Sequence, residues 1–280
     1  MQAALDSLLE RIRDAQENGD TIGVSWLLQE ERYSSLLQQI TAQRDSYAPT
    51  AATATAAAQS AAVETAAKAA ESWTYLSVGA RGVKQAAAVG VVWNKLPVDR
   101  LEAYVGLAGD GSPLRNLFTS VSTDRANDVR DILFSGIGSG ESAKSIAARL
   151  QTVSDVSAAR ARLIARTEVN RAHRAAAIGS YANNAGIIDG WIWKASCDSR
   201  TCTACWAMHG SWHANDEPFG SHPACRCSAV PSVRDLRTSP GQKDLRPKVE
   251  LGPDRFEALS DAEKKEILGP ALFKKYKAGE

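Results

Sequence analysis

Cys197-Asp-Ser-Arg-Thr-Cys-Thr-Ala-Cys205 is followed further along the chain by His222-Pro-Ala-Cys-Arg-Cys227, and these two stretches hold all five cysteines of a 280-residue protein. Such a cluster reads as a metal site, a disulfide staple or a reactive thiol. A chain of this length buries a core without staples. Its first residues, MQAALDSLLERIRD, carry charges where an export signal needs an apolar run. The expected compartment is therefore a reducing cytosol, where clustered thiols favour metal over disulfide.

Zinc takes four soft or borderline donors at tetrahedral angles. Cys202 and Cys205 stand three apart, the spacing at which a tight turn lets both chelate one ion. His222 and Cys225 repeat that offset, with Pro223 stiffening the turn. Cys227 offers a competing thiolate from the strand that follows. The candidate ligands are thus Cys202, Cys205, Cys225 and either His222 or Cys227, holding a structural Zn2+. Cys197 is expected in the preceding strand, outside the ligand set. Asp198, Arg200 and Arg226 flank the two knuckles, and Asp198 is expected to pair with Arg200 or Arg226 and tie them together.

Around the cysteines the pattern is β. Gly190-Trp-Ile-Trp-Lys reads as a strand with Trp191 and Trp193 on one face and Ile192 on the other. Gly210-Ser-Trp-His starts a second strand, and residues 225–231 form a third. A unit this small has little core of its own, so metal binding supplies folding energy. Pro231, Pro240, Pro247 and Pro253 mark an extended arm. Ser260-Asp-Ala-Glu263 is a capping box that opens a helix stopping at Gly269-Pro270.

Upstream the pattern is helical. Leu5, Leu8, Leu9 and Ile12 recur at helical spacing, as do Trp26, Leu27, Tyr33, Leu36, Leu37 and Ile40. Pro49 is expected to break this second run. Residues 50–73 are Ala-rich and strongly helix-favouring, either as a surface helix or as a thin rod for close packing. Gly136-Ile-Gly-Ser-Gly-Glu-Ser-Ala-Lys-Ser145 lacks the Gly-x4-Gly-Lys-Ser/Thr spacing of a phosphate loop; it reads as a turn with a helix cap at Ser139 or Ser142. In the helix over 156–182, Arg160, Arg162, Arg166, Arg171 and Arg174 outnumber Glu168. That is a solvated face with Glu168 pairing Arg171 or Arg174, or a stripe for phosphate or an acidic partner. The fold class is α+β: an elongated helical region over 1–155, a core over 156–231 with the basic helix and a zinc-stabilised antiparallel β unit, and an arm with C-terminal helices over 232–280.

Composition limits the function. Hydrophobic content of 44% with 23% charged residues is globular. A formal charge of +1 argues against a dedicated nucleic-acid-binding zinc module. The longest apolar run, Ala86 to Trp93, is too short to span a bilayer. A zinc-dependent nuclease or toxin-like enzyme would need an open coordination position and a base, with His209 and His213 as the candidates; nothing sets up a third, orienting group.

The string Arg166-Thr-Glu168, Tyr181, Trp193-x-Ala-x-x-Asp198-x-Arg-Thr-Cys-x-x-Cys205, His209-Gly210 and His222-Pro-x-Cys-Arg-Cys227 resembles the phage head-morphogenesis, or Mu F-like minor head, proteins. Ile267-Leu-Gly269 with Tyr276-Lys-x-Gly279 is similar to the end of many members. Cys197 and His209 depart from the family pattern. The resemblance implies a non-enzymatic virion protein of a tailed bacteriophage, made in the host bacterial cytoplasm and placed inside the capsid near the portal. It implies a part in head assembly and in genome packaging or ejection. The implied partners are the portal protein, the major capsid or other head proteins and packaged double-stranded DNA, with no membrane.

Overall fold

The computed structural model describes residues 2–236 and 248–279. It is α+β, as the sequence predicts: long helices precede a small antiparallel sheet near the C-terminus. The elements fall into two compact units, one of residues 1–57 and 106–168, the other of residues 58–105 and 169–280.

In the first unit, α1 (Gln2–Glu17), α2 (Val24–Gln29), the start of α3 (Glu31–Ser77), α6 (Leu114–Gly138) and the start of α7 (Ala143–Ala182) share one core. Leu8, Ile12, Leu27 and Leu36 meet Leu133, Ile137 and Ile146 there, all essentially without solvent contact. Each such side chain contributes about 1.5–3 kcal/mol by leaving water. Gly19, with φ 74°, follows the end of α1 in the left-handed conformation that favours glycine. Glu30 separates α2 from α3 with an extended backbone.

Pro49 does not end the helix: α3 runs through it. An internal proline removes one backbone bond and costs about 3 kcal/mol. The helix offsets this with buried Leu36, Ile40 and Ala48 before and at that turn and the alanine run after it. That alanine run is a packing surface. In the second unit Val63, Ala66 and Ala70 are buried in the same cluster as Ala172, Ala176 and Ala177 of α7. Small side chains on both helices allow their axes to approach closely.

The glycine segment 136–145 spans the end of α6, a turn over 139–142 and the start of α7. Gly140 is left-handed at φ 69°, and the Ser145 N–H donates to Ser142 Oγ at 3.3 Å, so Ser142 caps α7. The helix expected from residue 156 begins at Ala143 and is continuous through the basic segment.

The second unit also holds α4 (Val83–Ala88), α5 (Val98–Glu102), the second half of α3 and the end of α7. Its sheet has the order β2-β1-β3, with β1 (Ile188–Lys194) central, β2 (Trp212–His213) on one side and β3 (Ser228–Val233) on the other. Trp191 faces His213 on β2 and Pro231 on β3, and Trp193 faces Ala229. Trp191 and Trp193 are buried while Ile192 is partly exposed, the alternation expected of a strand with one covered face. Pro231 lies within β3, not at the start of an arm. It is tolerated because β3 is an edge strand and its missing N–H breaks no outer ladder. Pro240 and Pro247 lie outside the described residues. Pro253 sits in the first turn of α9 (Gly252–Glu257), where its lack of an N–H costs nothing.

The capping box at Ser260 and Glu263 opens α10 (Asp261–Ala278). Gly269, at φ 74° and ψ 164°, is non-helical, so the helix stops at Gly269-Pro270 and restarts beyond the kink. No helix among the described residues is long and apolar enough to cross a membrane.

Candidate metal centre

The two knuckles meet in the second unit. Cys202 caps the short α8 (Thr203–Met208), and its Sγ accepts the Cys205 N–H at 3.4 Å. That local bond fixes the turn that aims both sulfurs the same way. In the second knuckle the Cys225 N–H donates to the His222 carbonyl at 3.2 Å. Ala224 sits at φ 58°, a left-handed conformation that is strained for a residue with a Cβ. The turn is therefore held by what surrounds it.

His222 is pre-set as a donor. Its Nδ1 lies 2.8 Å from the Pro223 carbonyl, which can only accept, so Nδ1 carries the proton. Nε2 then presents its lone pair, 3.3 Å from Cys202 Sγ and 3.3 Å from Cys205 Sγ. Cys205 Sγ is also 3.8 Å from Cys225 Sγ. The ligand atoms form two overlapping groups, Cys202–Cys205–His222 and Cys205–Cys225–Cys227, each within 4.8 Å, and Cys205 belongs to both. All five cysteines are free thiols. Cys205, Cys225 and Cys227 are buried, whereas Cys202 and His222 lie at the surface.

This donor set fits zinc. Bond lengths of about 2.3 Å to sulfur and 2.0–2.1 Å to nitrogen put tetrahedral ligand edges at about 3.8 Å for two sulfurs and about 3.5 Å for sulfur and nitrogen. The observed spacings are close to both. Burial, followed by the crowding of neighbouring thiols, pushes the Cys205 thiol far above its usual range. Burial also raises Cys227. A cation offsets this cost of ionisation, and Cys202, Cys205, Cys225 with His222 or Cys227 would close its coordination sphere. Such an ion would supply folding energy and leave no position for water.

Cys197 stands apart from both groups. It lies after β1 rather than in it, with φ 52° and a half-buried side chain. Burial raises its thiol pKa.

The carbonyls of the second knuckle are held from below. Arg174 of α7, buried to 4% exposure, donates from Nε to the Cys227 carbonyl at 2.7 Å and from Nη2 to the Cys225 carbonyl at 2.5 Å. Its Nη1 reaches Ser221 Oγ at 3.0 Å, and the guanidinium stacks on Phe219, 4.8 Å from the ring centroid. Asn170, one turn earlier, donates to the same Cys225 carbonyl at 3.2 Å. Burial pulls the Arg174 pKa down and the charge of the neighbouring thiolates pushes it back. Arg174 is thus corrected from a candidate partner contact to an internal clamp, because its donors are already used inside the fold. Arg160 bonds Asp124 at 2.6 Å, and Arg162 and Arg166 are exposed, while Arg171 is half-buried.

Asp198 joins the knuckles by accepting two bonds from Arg226, at 2.9 and 2.5 Å, and one from the buried Thr201 hydroxyl at 2.9 Å. Arg200 adds its backbone N–H at 3.1 Å and a looser side-chain contact at 3.5 Å. The Arg226 guanidinium holds the Asp198 carboxyl well below the usual carboxylate range.

Both other histidines near the sheet are engaged. His209 Nδ1 accepts the Ala195 N–H at 3.1 Å, and burial lowers its pKa, so the ring is a neutral core acceptor. His213 bonds Ser211 Oγ at 2.8 Å and Glu217 at 2.7 Å while stacking on Trp191 at 4.2 Å.

Fold and site together define a helical protein finished by a Cys/His-clasped antiparallel sheet. Residues 127–230, a segment that takes in both knuckles and all of α7, match the family model described as Phage Mu protein F like protein. Over that segment the chain is similar to this family, and the likeness visible in its motifs from Arg166 to Cys227 falls within it. No curated protein and no solved structure matches the chain.

Proposed function

We infer that the protein is a structural minor head protein of a tailed bacteriophage, acting in head morphogenesis. In this reading it docks at the portal inside the capsid and takes part in head assembly and in genome packaging or delivery. The observation that carries the reading is the Mu F-like match over residues 127–230, which contains the whole Cys/His cluster. The cluster supports a structural ion over a catalytic one: three thiols and an imidazole, or four thiols, fill a tetrahedral sphere. His209 and His213, the bases a nuclease would need, are tied to Ala195 and to Ser211 and Glu217. Exposed Arg162 and Arg166 are the contacts offered to packaged DNA or an acidic partner.

The test is placement in the intact particle. Imaging of virions at side-chain resolution should put this chain inside the head at the portal vertex, and the purified protein should co-sediment with portal rings. Virions without the chain inside the head, or purified protein that cleaves plasmid DNA with a dependence on His209 or His213, would overturn the reading.

A further inference from the structure

The first unit holds a cavity of about 440 Å³ between α3, α6 and α7, within the range of about 300–1,000 Å³ that suits small-molecule sites. Arg44 and Arg125 stand in its wall beside Ser154 and Ser157, with Val121 and Val129 as an apolar side, and among the described residues no aspartate or glutamate lines it. Arg125 Nη2 donates to Ser154 Oγ at 3.1 Å, but its Nε is buried with no hydrogen-bond partner among the described residues. A buried donor on a permanent charge calls for an acceptor. Three acids close in sequence to the cavity residues are engaged: Asp124 with Arg160 at 2.6 Å, Asp45 with Arg44 at 3.0 Å, Asp155 with Gln151 at 3.0 Å; Asp6 lines a smaller neighbouring cavity together with Arg125.

We propose that this cavity binds one amphipathic organic anion, a carboxylate or a phosphate monoester. Its charged oxygens pair with the Arg125 guanidinium in the wall, and its apolar body lies along Val121 and Val129. The valine wall excludes a bare inorganic ion as the best-fitting occupant, and the guanidinium excludes a neutral one.

Calorimetric titration of the full-length protein with octanoate, hexyl phosphate and the neutral octanamide tests this. At least one anion should bind once per chain, about tenfold or more tighter than octanamide, and the tighter anion identifies the head group. Arg125→Met should bring that anion down to the octanamide level. Ser157→Leu, which fills the cavity from the α7 side and leaves the charge in place, should abolish binding of all three while the melting temperature holds. Equal affinity for the anions and octanamide, no saturable binding of any probe, or anion binding unchanged in both variants overturns the proposal. If Arg125→Met does not fold, the outcome for Ser157→Leu alone decides.

Discussion

Arg226 grips Asp198 with both terminal nitrogens across 28 residues of chain, so the loop before the first cysteine knuckle is bolted to the strand end that carries the second. The pair also gathers the Thr201 hydroxyl and the Arg200 backbone N–H onto the same carboxylate. Two parallel bonds that make one bidentate pair in a fixed plane are more specific than an ordinary surface ion pair. Asp198→Asn keeps the shape but loses the charge, and Asp198→Ala loses both. The melting temperature should fall by several degrees in the alanine variant, less in the asparagine variant, and hardly at all in a solvent-facing control such as Asp216→Ala. A fall no larger than that control would remove the pair from the account of stability.

Arg174 and Arg160 lie on the same helix and should behave differently. Removing Arg174 takes the Nε donor from the carbonyl of Cys227 and leaves that of Cys225 with the bond from Asn170. Arg174→Met should cost about 2–3 kcal/mol in chemical unfolding and weaken metal affinity by about 10–100-fold. Arg160→Ala, at an exposed pair with Asp124, should stay within about 0.5 kcal/mol. Equal costs for the two would refute the division of the basic helix into clamp and surface.

Much of this was legible in the sequence, and the parts that were not have identifiable causes. Ligand spacing, the Trp191 and Trp193 alternation and the Ser260–Glu263 box are short-range signals, and the structure contains all three features. Pro49 misleads because its local penalty is outweighed by burial along α3, which no window of sequence displays. Arg174 misleads because it is read with its charge rather than its phase. Asn170, Arg174, Ala177 and Tyr181 recur at helical spacing, and the last of these donates to the Ala229 carbonyl of β3 at 3.1 Å. An arginine in phase with buried Ala177 and Tyr181 belongs to the covered side of its helix. That stripe was a usable signal. The Arg125 cavity had none, since it forms between three helices far apart in sequence.

Cys205 is shared by both ligand groups, so its loss should be the most damaging of the thiol substitutions. Purified protein should hold one zinc per chain by elemental analysis. Cys205→Ala should release it and unfold the sheet, read by loss of near-ultraviolet dichroism from Trp191 and Trp193. Of His222→Ala and Cys227→Ala, one should keep close to one zinc per chain, and that variant identifies the donor outside the sphere. Chelation should reproduce the Cys205→Ala spectrum. A chelator-treated protein with an unchanged spectrum would show that the sheet stands without an ion.

Gly252 fixes how the C-terminal helices attach to α8. Its N–H donates to the His209 carbonyl at 2.6 Å, and an added Cβ would meet the Trp206 carbonyl and the His209 Cβ, leaving no room for a side chain. Gly252→Ala should therefore push α9 away from α8 and cost about 1–3 kcal/mol, the usual penalty of overpacking. Limited proteolysis should cut ahead of α9 faster in the variant than in the wild type. Identical cleavage rates would mean that α9 adjusts freely and that this contact does not hold it.

The last turn of α10 returns to α9 through a small polar knot. Tyr276 donates to Glu257 at 2.6 Å, and Lys264, nearly buried, donates to both at 3.1 Å. The Tyr276 hydroxyl, followed by Lys264, holds the Glu257 carboxyl below its ordinary value of 4.5. A depressed folded-state pKa means a contribution fully present above that ordinary value and lost as the pH falls through the lowered one. The difference in melting temperature between wild type and Glu257→Gln should therefore be steady from pH 7 to about 5 and should shrink below pH 4.5. It should also shrink in high salt, because Glu257 is largely exposed and its charge is screened. A difference that stays constant from pH 7 down to 3 would show that the knot acts through packing of Phe256 and Tyr276 rather than through the carboxylate charge.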